Sequence, residues 1–172
     1  GVITQKSINV TAQADTKIYD GTTDSDVAPV VDELEVGDSI DMAPIQAYDT
    51  EDIGTDKILT PSGLVIDDGF GGANYAIIPV VNNEGVINAK NLIVVGAVTD
   101  SKIFNGSTIA TVDFTSAELV GVVGEEDVSL DSSGYSALYD NKNVGTVKTV
   151  TISGLDLVGT GASNYSLAQQ IL

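Results

Sequence analysis

The 172-residue chain contains no cysteine, histidine, tryptophan or arginine, and its 7 lysines face 25 acidic residues, a formal net charge of −18. Without Cys or His, the usual zinc sites, histidine-ligated haem and Cys–His nucleophiles are excluded. A Ser-His-Asp triad is excluded for the same reason. The lack of Arg removes bidentate phosphate clamps. So few lysines in so acidic a chain make nucleic acid a poor partner and repel anionic lipid. Disulfide stapling is impossible, so stability rests on the core or on neighbours. Long apolar runs are missing too. The longest, Ile77–Val81 and Leu92–Val98, fall well below the ~20 residues of a membrane helix, so no membrane insertion is expected. Gly1 leads directly into strand-like sequence with no basic or apolar leader, which reads as a mature or excised piece.

The residues that are abundant describe a folded β protein. Val, Ile and Thr number 22, 16 and 16, nearly a third of the chain, and 18 Gly supply turns. β-branched side chains suit pleated surfaces and fill helices poorly. Ser7-Ile8-Asn9-Val10-Thr11-Ala12 alternates with period 2. Strands are expected at 7–13, 17–19, 39–42, 45–48, 57–59, 75–80 and 86–89. One-turn helices are expected near 31–36 and 116–120.

Self-comparison reveals a repeat. Asp15-Thr16-Lys17-Ile18-Tyr19-Asp20-Gly21-Thr22-Thr23 matches Asp100-Ser101-Lys102-Ile103-Phe104-Asn105-Gly106-Ser107-Thr108 at an offset of 85. Tyr48-Asp49, Ile53-Gly54-Thr55 and Ser62-Gly63-Leu64 match Tyr139-Asp140, Val144-Gly145-Thr146 and Ser153-Gly154-Leu155 at 91, and Asn74-Tyr75 matches Asn164-Tyr165 at 90. Two homologous β domains follow, at 7–90 and 91–172. Tandem Greek-key, Ig-like sandwiches are the expected architecture. A β-grasp-like repeat with a short helix is the alternative.

The ends are out of phase with the repeat. Gly1-Val2-Ile3-Thr4-Gln5-Lys6-Ser7-Ile8 matches Gly85-Val86-Ile87-Asn88-Ala89-Lys90-Asn91-Leu92 at an offset of 84. Gly85-Val86-Ile87 closes the first repeat, but the second runs from Asn164-Tyr165 only to Leu172. Residues 1–6 therefore read as an orphan last strand, and the second domain as lacking its own. Either the chain is cut from a longer tandem array, or identical chains complete one another by strand addition, with Gly1, Val2, Ile3, Thr4, Gln5 and Lys6 as the assembly strand. The expected partners are thus adjacent repeats or identical subunits.

The stretch Lys17-Ile18-Tyr19-Asp20-Gly21-Thr22-Thr23 resembles the signature of the YDG-type repeat of bacterial surface proteins. Gly37-Asp38, Asn143-Val144-Gly145-Thr146, Val150–Leu155 and Asn164-Tyr165-Ser166-Leu167 agree with it, and the likeness covers nearly the whole chain, twice. The second copy reads Phe104-Asn105-Gly106 at the name-giving motif. Such repeats are similar to Ig-like modules of large secreted adhesins. The resemblance implies an extracellular, non-catalytic, array-forming module, as part of a surface fibre or adhesin.

Candidate sites for chemistry are few. Asp20, Asp24 and Asp26 crowd one turn-rich stretch, and Asp49, Glu51 and Asp52 another. Such hard oxygen ligands are what Ca²⁺ takes, which makes it the one candidate cofactor. Against this stands the plainer reading of solvated loops. The counterparts of the first stretch are Asn105, Ile109 and Thr111, and the first repeat carries −12 of the charge. Lys17 and Lys102 invite comparison with Lys–Asn cross-links, or are strand-edge lysines whose stems snorkel. Tyr75 and Tyr165 follow Gly-containing loops and read as corner tyrosines. No arrangement calls for an enzyme. A ligand-binding adhesin module, recognising a surface glycan through loops of the first repeat, is the alternative function.

Overall fold

The computed structural model describes residues 1–168 and 170–172. The chain is all-β, of the β-sandwich type, and forms two compact units, Gly1–Asn88 and Ala89–Leu172. The first holds β1 (Lys6–Thr11), β2 (Thr16–Ile18), β3 (Val30–Val31), β4 (Ser39–Met42), β5 (Ile45–Tyr48), β6 (Gly54–Ser62), β7 (Val65–Asp67), β8 (Tyr75–Val80) and β9 (Asn82–Asn88). The second holds β10 (Lys90–Val95), β11 (Val98–Thr99), β12 (Val112–Asp113), β13 (Glu118–Val120), β14 (Ser129–Asp131), β15 (Ser136–Tyr139), β16 (Val150–Ser153), β17 (Asp156–Val158), β18 (Tyr165–Leu167) and β19 (Gln170–Ile171). The expected one-turn helices are absent. Val31 ends a strand, and Glu118–Val120 is one. β-branched Val at both places favours pleated backbone over a helical turn. Among the described residues, the single-turn 3₁₀ segment Ala162–Asn164 is the only helical element.

In the first unit the strands order as β3-β1-β8, β4-β7 and β2-β9-β6-β5. Two of the pairings are parallel, β1 with β8 and β2 with β9. The alternation in β1 buries Ile8 and Val10, which pack with Leu64, Ile66 and Tyr75. The burial of this apolar face, rather than propensity, fixes the register, since a one-residue slip would turn both residues to solvent.

The second unit repeats this plan. β10 pairs antiparallel with β13 and parallel with β18, as β1 does with β3 and β8, and Lys90↔Tyr165 repeats Lys6↔Tyr75. β14–β17 and β15–β16 repeat β4–β7 and β5–β6. Its core gathers Ala110, Val112, Ala137, Val150 and Ile152, with Phe114 edge-on to Tyr135 at 5.0 Å. One pairing of the first unit has no counterpart among the described residues, that between β2 and β9.

Candidate functional site

Each unit builds the same brace around its signature lysine. The Lys17 ammonium donates to the carbonyls of Thr22 and Asp24 at 2.8 and 2.9 Å, and to Asp20 Oδ1 at 2.8 Å. Lys102 donates to the carbonyls of Ser107 and Ile109 at 2.8 and 2.7 Å. Both ammonium groups lie 5.4 Å from a ring centre, Lys17 over Tyr48 and Lys102 over Tyr139. One cation therefore satisfies two loop carbonyls and rests on an aromatic face. The loop can turn back over it because Gly21 and Gly106 both adopt φ 75, a left-handed value that costs glycine little. The lysine is thus an internal fastener. Asp20 reinforces it in the first unit. Burial alone would raise the Asp20 carboxyl, but hydrogen bonds from Lys17 and Thr22 outweigh this and hold it below its ordinary value.

The aromatic under the lysine also marks one wall of a strand site. In the first unit β9 lies between β2 and β6. Its Val86 N–H donates to the Asp15 carbonyl at 2.9 Å, and the Tyr19 N–H donates to the Asn88 carbonyl at 2.8 Å. Gly85 passes so close to the far wall that a Cβ would stand 2.8 Å from the Lys57 carbonyl and 3.0 Å from Cε1 of Tyr48. Ile87 is only 2 % exposed. The wall is held by Lys57, which donates to Thr50 Oγ1 at 2.6 Å and lies 3.8 Å from Asp49.

The second unit has the same walls without the strand. Lys148 repeats Lys57, donating to Asn141 Oδ1 at 2.6 Å and pairing with Asp140 at 2.7 Å. This pair holds the Asp140 carboxyl below its ordinary value. Leu172 exchanges both backbone hydrogen bonds with Val150, at 2.8 and 2.9 Å. Past that point no strand lies along residues 145–149 among the described residues. What remains is a groove of about 470 Å³ whose walls include Ser101, Lys102, Phe104, Tyr139, Gly145 and Lys148. Thr99 Oγ1, buried and without a hydrogen-bond partner, lines it as well. Tyr139 turns its hydroxyl onto the Asp100 carbonyl at 2.8 Å. In the first unit the equivalent carbonyl, that of Asp15, accepts from the strand. Ser101–Ile103, whose counterparts form β2, forms no strand and no strand pairing among the described residues. Phe104 is 59 % exposed where its counterpart Tyr19 is 4 %.

Each unit also has one corner tyrosine, Tyr75 in the first and Tyr165 in the second. The Tyr75 hydroxyl donates to Asp38 Oδ2 at 2.5 Å and accepts the Glu35 N–H at 2.9 Å. The Tyr165 hydroxyl donates to Glu126 Oε2 at 2.8 Å and accepts the Val123 N–H at 2.9 Å. The bond to Asp38, then burial, raises the Tyr75 pKa; burial, then Glu126, raises that of Tyr165. Asn74 gives its N–H to Asp68, and Asn164 is buried in the 3₁₀ turn before Tyr165.

The candidate calcium ligands do not converge. Among the described residues no group of three or more carboxylates is placed to hold a metal ion. Asp20 is engaged by Lys17 and Thr22, Asp24 offers its backbone carbonyl to Lys17, and Asp49 caps the Thr50 N–H beside Lys57. Glu51 and Asp52 lie exposed in the adjoining bend, as Asp26 does in its own loop. Of the first stretch, Asp20 gives its carboxylate and Asp24 its backbone carbonyl to the same lysine. Asp68, in another acidic pair, accepts the N–H groups of Phe70, Gly72 and Asn74 at 2.8, 2.7 and 3.0 Å. Burial would raise its carboxyl, and those three bonds lower it further than that. The assembly residues divide, the first four free of these contacts and the last two set beside the corner tyrosine. Gly1–Thr4 are exposed, Gln5 is tied to the carbonyls of Ala73 and Tyr75, and Lys6 opens β1 and pairs with Glu35 at 2.9 Å.

Sequence reasoning missed Tyr48 and Tyr139 as seats for the lysines, and Lys57 and Lys148 as wall residues. The signal was present, since both pairs recur at the offset of 91 that aligns Ser62-Gly63-Leu64 with its copy.

No curated protein and no solved structure matches the chain. A family model, the YDG domain, matches it twice, over residues 4–83 and 88–171. Two copies of one signature thus coincide with two copies of one brace, and the chain belongs to the YDG domain family.

Proposed function

We propose that this chain is a non-catalytic structural repeat of an extracellular surface fibre or large adhesin, working by spacing, stiffness and assembly. The observation that carries this reading is how the recurring polar residues are used. Lys17 and Lys102, Lys57 and Lys148, and Tyr75 and Tyr165 each hold backbone or a neighbouring side chain of their own unit. These recurring groups are engaged within their own unit, which supports a mechanical role. An enzyme or a glycan receptor would keep polar groups convergent on a pocket and unspent. The groove of the second unit does not fit that description, because it coincides with the place of a strand. High net negative charge agrees with a soluble surface module, and a strand-rich repeat agrees with a one-dimensional array. Antibody raised against the 172-residue chain is expected to label intact source cells. Labelling that requires permeabilised cells would overturn the surface reading.

A further inference from the structure

We infer that the second unit carries a self-forming cross-link, an amide between the Lys148 amine and the Asn141 side chain, with Asp140 moving the proton. The bond would form whether or not the chain resides on a cell surface.

Hairpin register brings the three groups together. Tyr139 pairs with Val150, and one step outward the Asp140 N–H donates to the Thr149 carbonyl at 2.9 Å. One step further, Asn141 and Lys148 face one another at the loop end of the β15–β16 hairpin. The Lys148 Nζ donates to Asn141 Oδ1 at 2.6 Å, so the amide carbon lies less than about 4 Å from the amine. The Asp140 carboxylate touches both nitrogens that would exchange places. Its Oδ1 lies 2.7 Å from Nζ, and its Oδ2 accepts from Asn141 Nδ2 at 2.9 Å. The Asn143 N–H donates to Asn141 Oδ1 at 3.0 Å, which polarises the carbonyl and meets the negative charge that an attack would develop on it. The Lys148 side chain is 15 % exposed, so little water competes for these contacts. An ordinary ion pair needs only an amine and a carboxylate. Here a nucleophile, an acyl carbon, a proton carrier bridging nucleophile and leaving group, and a donor to the oxyanion meet between residues 140 and 148.

The other braces lack this set. Lys17 and Lys102 give their hydrogen bonds to backbone carbonyls, to Asp20 and to the Thr22 hydroxyl, none of them a side-chain amide. In the first unit the same register, with the Asp49 N–H on the Ile58 carbonyl at 2.9 Å, sets Lys57 against Thr50 at 2.6 Å. Thr50 offers a hydroxyl and no acyl carbon. The placing is thus built into the repeat, and the chemistry enters with one residue, Asn141.

The step balances without a co-reactant. Asp140 takes a proton from the Lys148 ammonium, and the freed amine attacks Cγ of Asn141. The Nζ–Cγ bond forms and the Cγ–Nδ2 bond breaks, while the carboxylate relays protons from Nζ to the departing nitrogen. Of the three hydrogens on Nζ, one stays in the new amide and two leave with the NH₂ group as ammonium. Nothing is oxidised or reduced, and the site turns over once.

Intact mass spectrometry of the folded 172-residue chain, as purified and after prolonged incubation at neutral pH, is expected to show a loss of about 17 Da, the mass of ammonia. Trypsin is expected to leave residues 103–142 joined to 143–172 and uncut after Lys148. Lys148→Arg, which keeps the charge, Asn141→Ala and Asp140→Asn are each expected to retain the full mass. Full mass in the unmodified chain after incubation would overturn the cross-link and leave an ion pair in its place. A loss of the same size that persists in Lys148→Arg would also overturn it, since Asn105-Gly106 can lose ammonia by closing a succinimide. Should a variant unfold, the tryptic map of the unmodified chain still decides, because separate peptides would exclude the bond.

Discussion

Gly85 lacks a side chain for a reason set by its neighbours, not by its own backbone. A methyl there would meet the Lys57 carbonyl at 2.8 Å and the Tyr48 ring at 3.0 Å, and neither wall can yield freely because Lys57 and Tyr48 are both anchored. Gly85→Ala is therefore expected to destabilise the first unit by about 1–3 kcal/mol, read as a lower midpoint in urea with an unchanged slope. Tyr75 acts through its hydroxyl as much as its ring, since that one oxygen holds both the Asp38 carboxylate and the Glu35 N–H. Tyr75→Phe keeps the packing and frees both groups, so the melting temperature of the first unit is expected to fall by about 4–8 °C in calorimetry. The acidic residues carry a lesson at the same scale. Spacing in sequence brought Asp20, Asp24 and Asp26 together, but Lys17 takes the carboxylate of Asp20 and only the backbone carbonyl of Asp24, and the three carboxylates do not gather into one site.

A short strand owes its existence to its neighbour. Thr16–Ile18 is a strand because β9 lies beside it, while Ser101–Ile103, nearly the same sequence, is not one. Three residues cannot repay their ordering without a partner. Hydrogen exchange of the monomeric 172-residue chain is expected to separate the two, with the Tyr19 amide, bonded to Asn88, exchanging orders of magnitude more slowly than that of Phe104. Ile87→Ala, at a position 2 % exposed, is expected to cost about 2–5 kcal/mol in denaturant unfolding. Much of this level was legible in the sequence. Alternation announced β1, the turn glycines bounded the strands, and the copied Gly-Val-Ile marked the strand that fills one groove and not the other. Two things were not legible. The parallel pairings depend on long-range topology that no local period encodes, and the expected helices at 31–36 and 116–120 gave way to β-branched residues finding sheet partners.

At the scale of the whole molecule, the tyrosines tie stability to alkaline pH. Burial and then the Asp15 hydrogen bond raise Tyr48, the Asp38 hydrogen bond and then burial raise Tyr75, and burial and then Glu126 raise Tyr165. Unfolded tyrosines release their protons near pH ~10, before these folded ones do. The unfolded chain then binds fewer protons than the folded one, so this contribution is intact below pH ~10 and declines as pH rises above it. Urea midpoints at pH 8 and pH 11 are expected to show the loss, and Tyr75→Phe to reduce its slope. The parallel pairings bear on how the chain meets a pulling force. β1 opens the first unit and runs parallel to β8, and β2 runs parallel to β9, which closes it. Tension applied at Lys6 and Asn88 slides each pair along its own length. The six residue pairs between β1 and β8 then share the load at once, where an antiparallel hairpin would peel open one bond at a time. Among the described residues the second unit repeats the first of these two shear contacts, in the parallel pairing of β10 with β18.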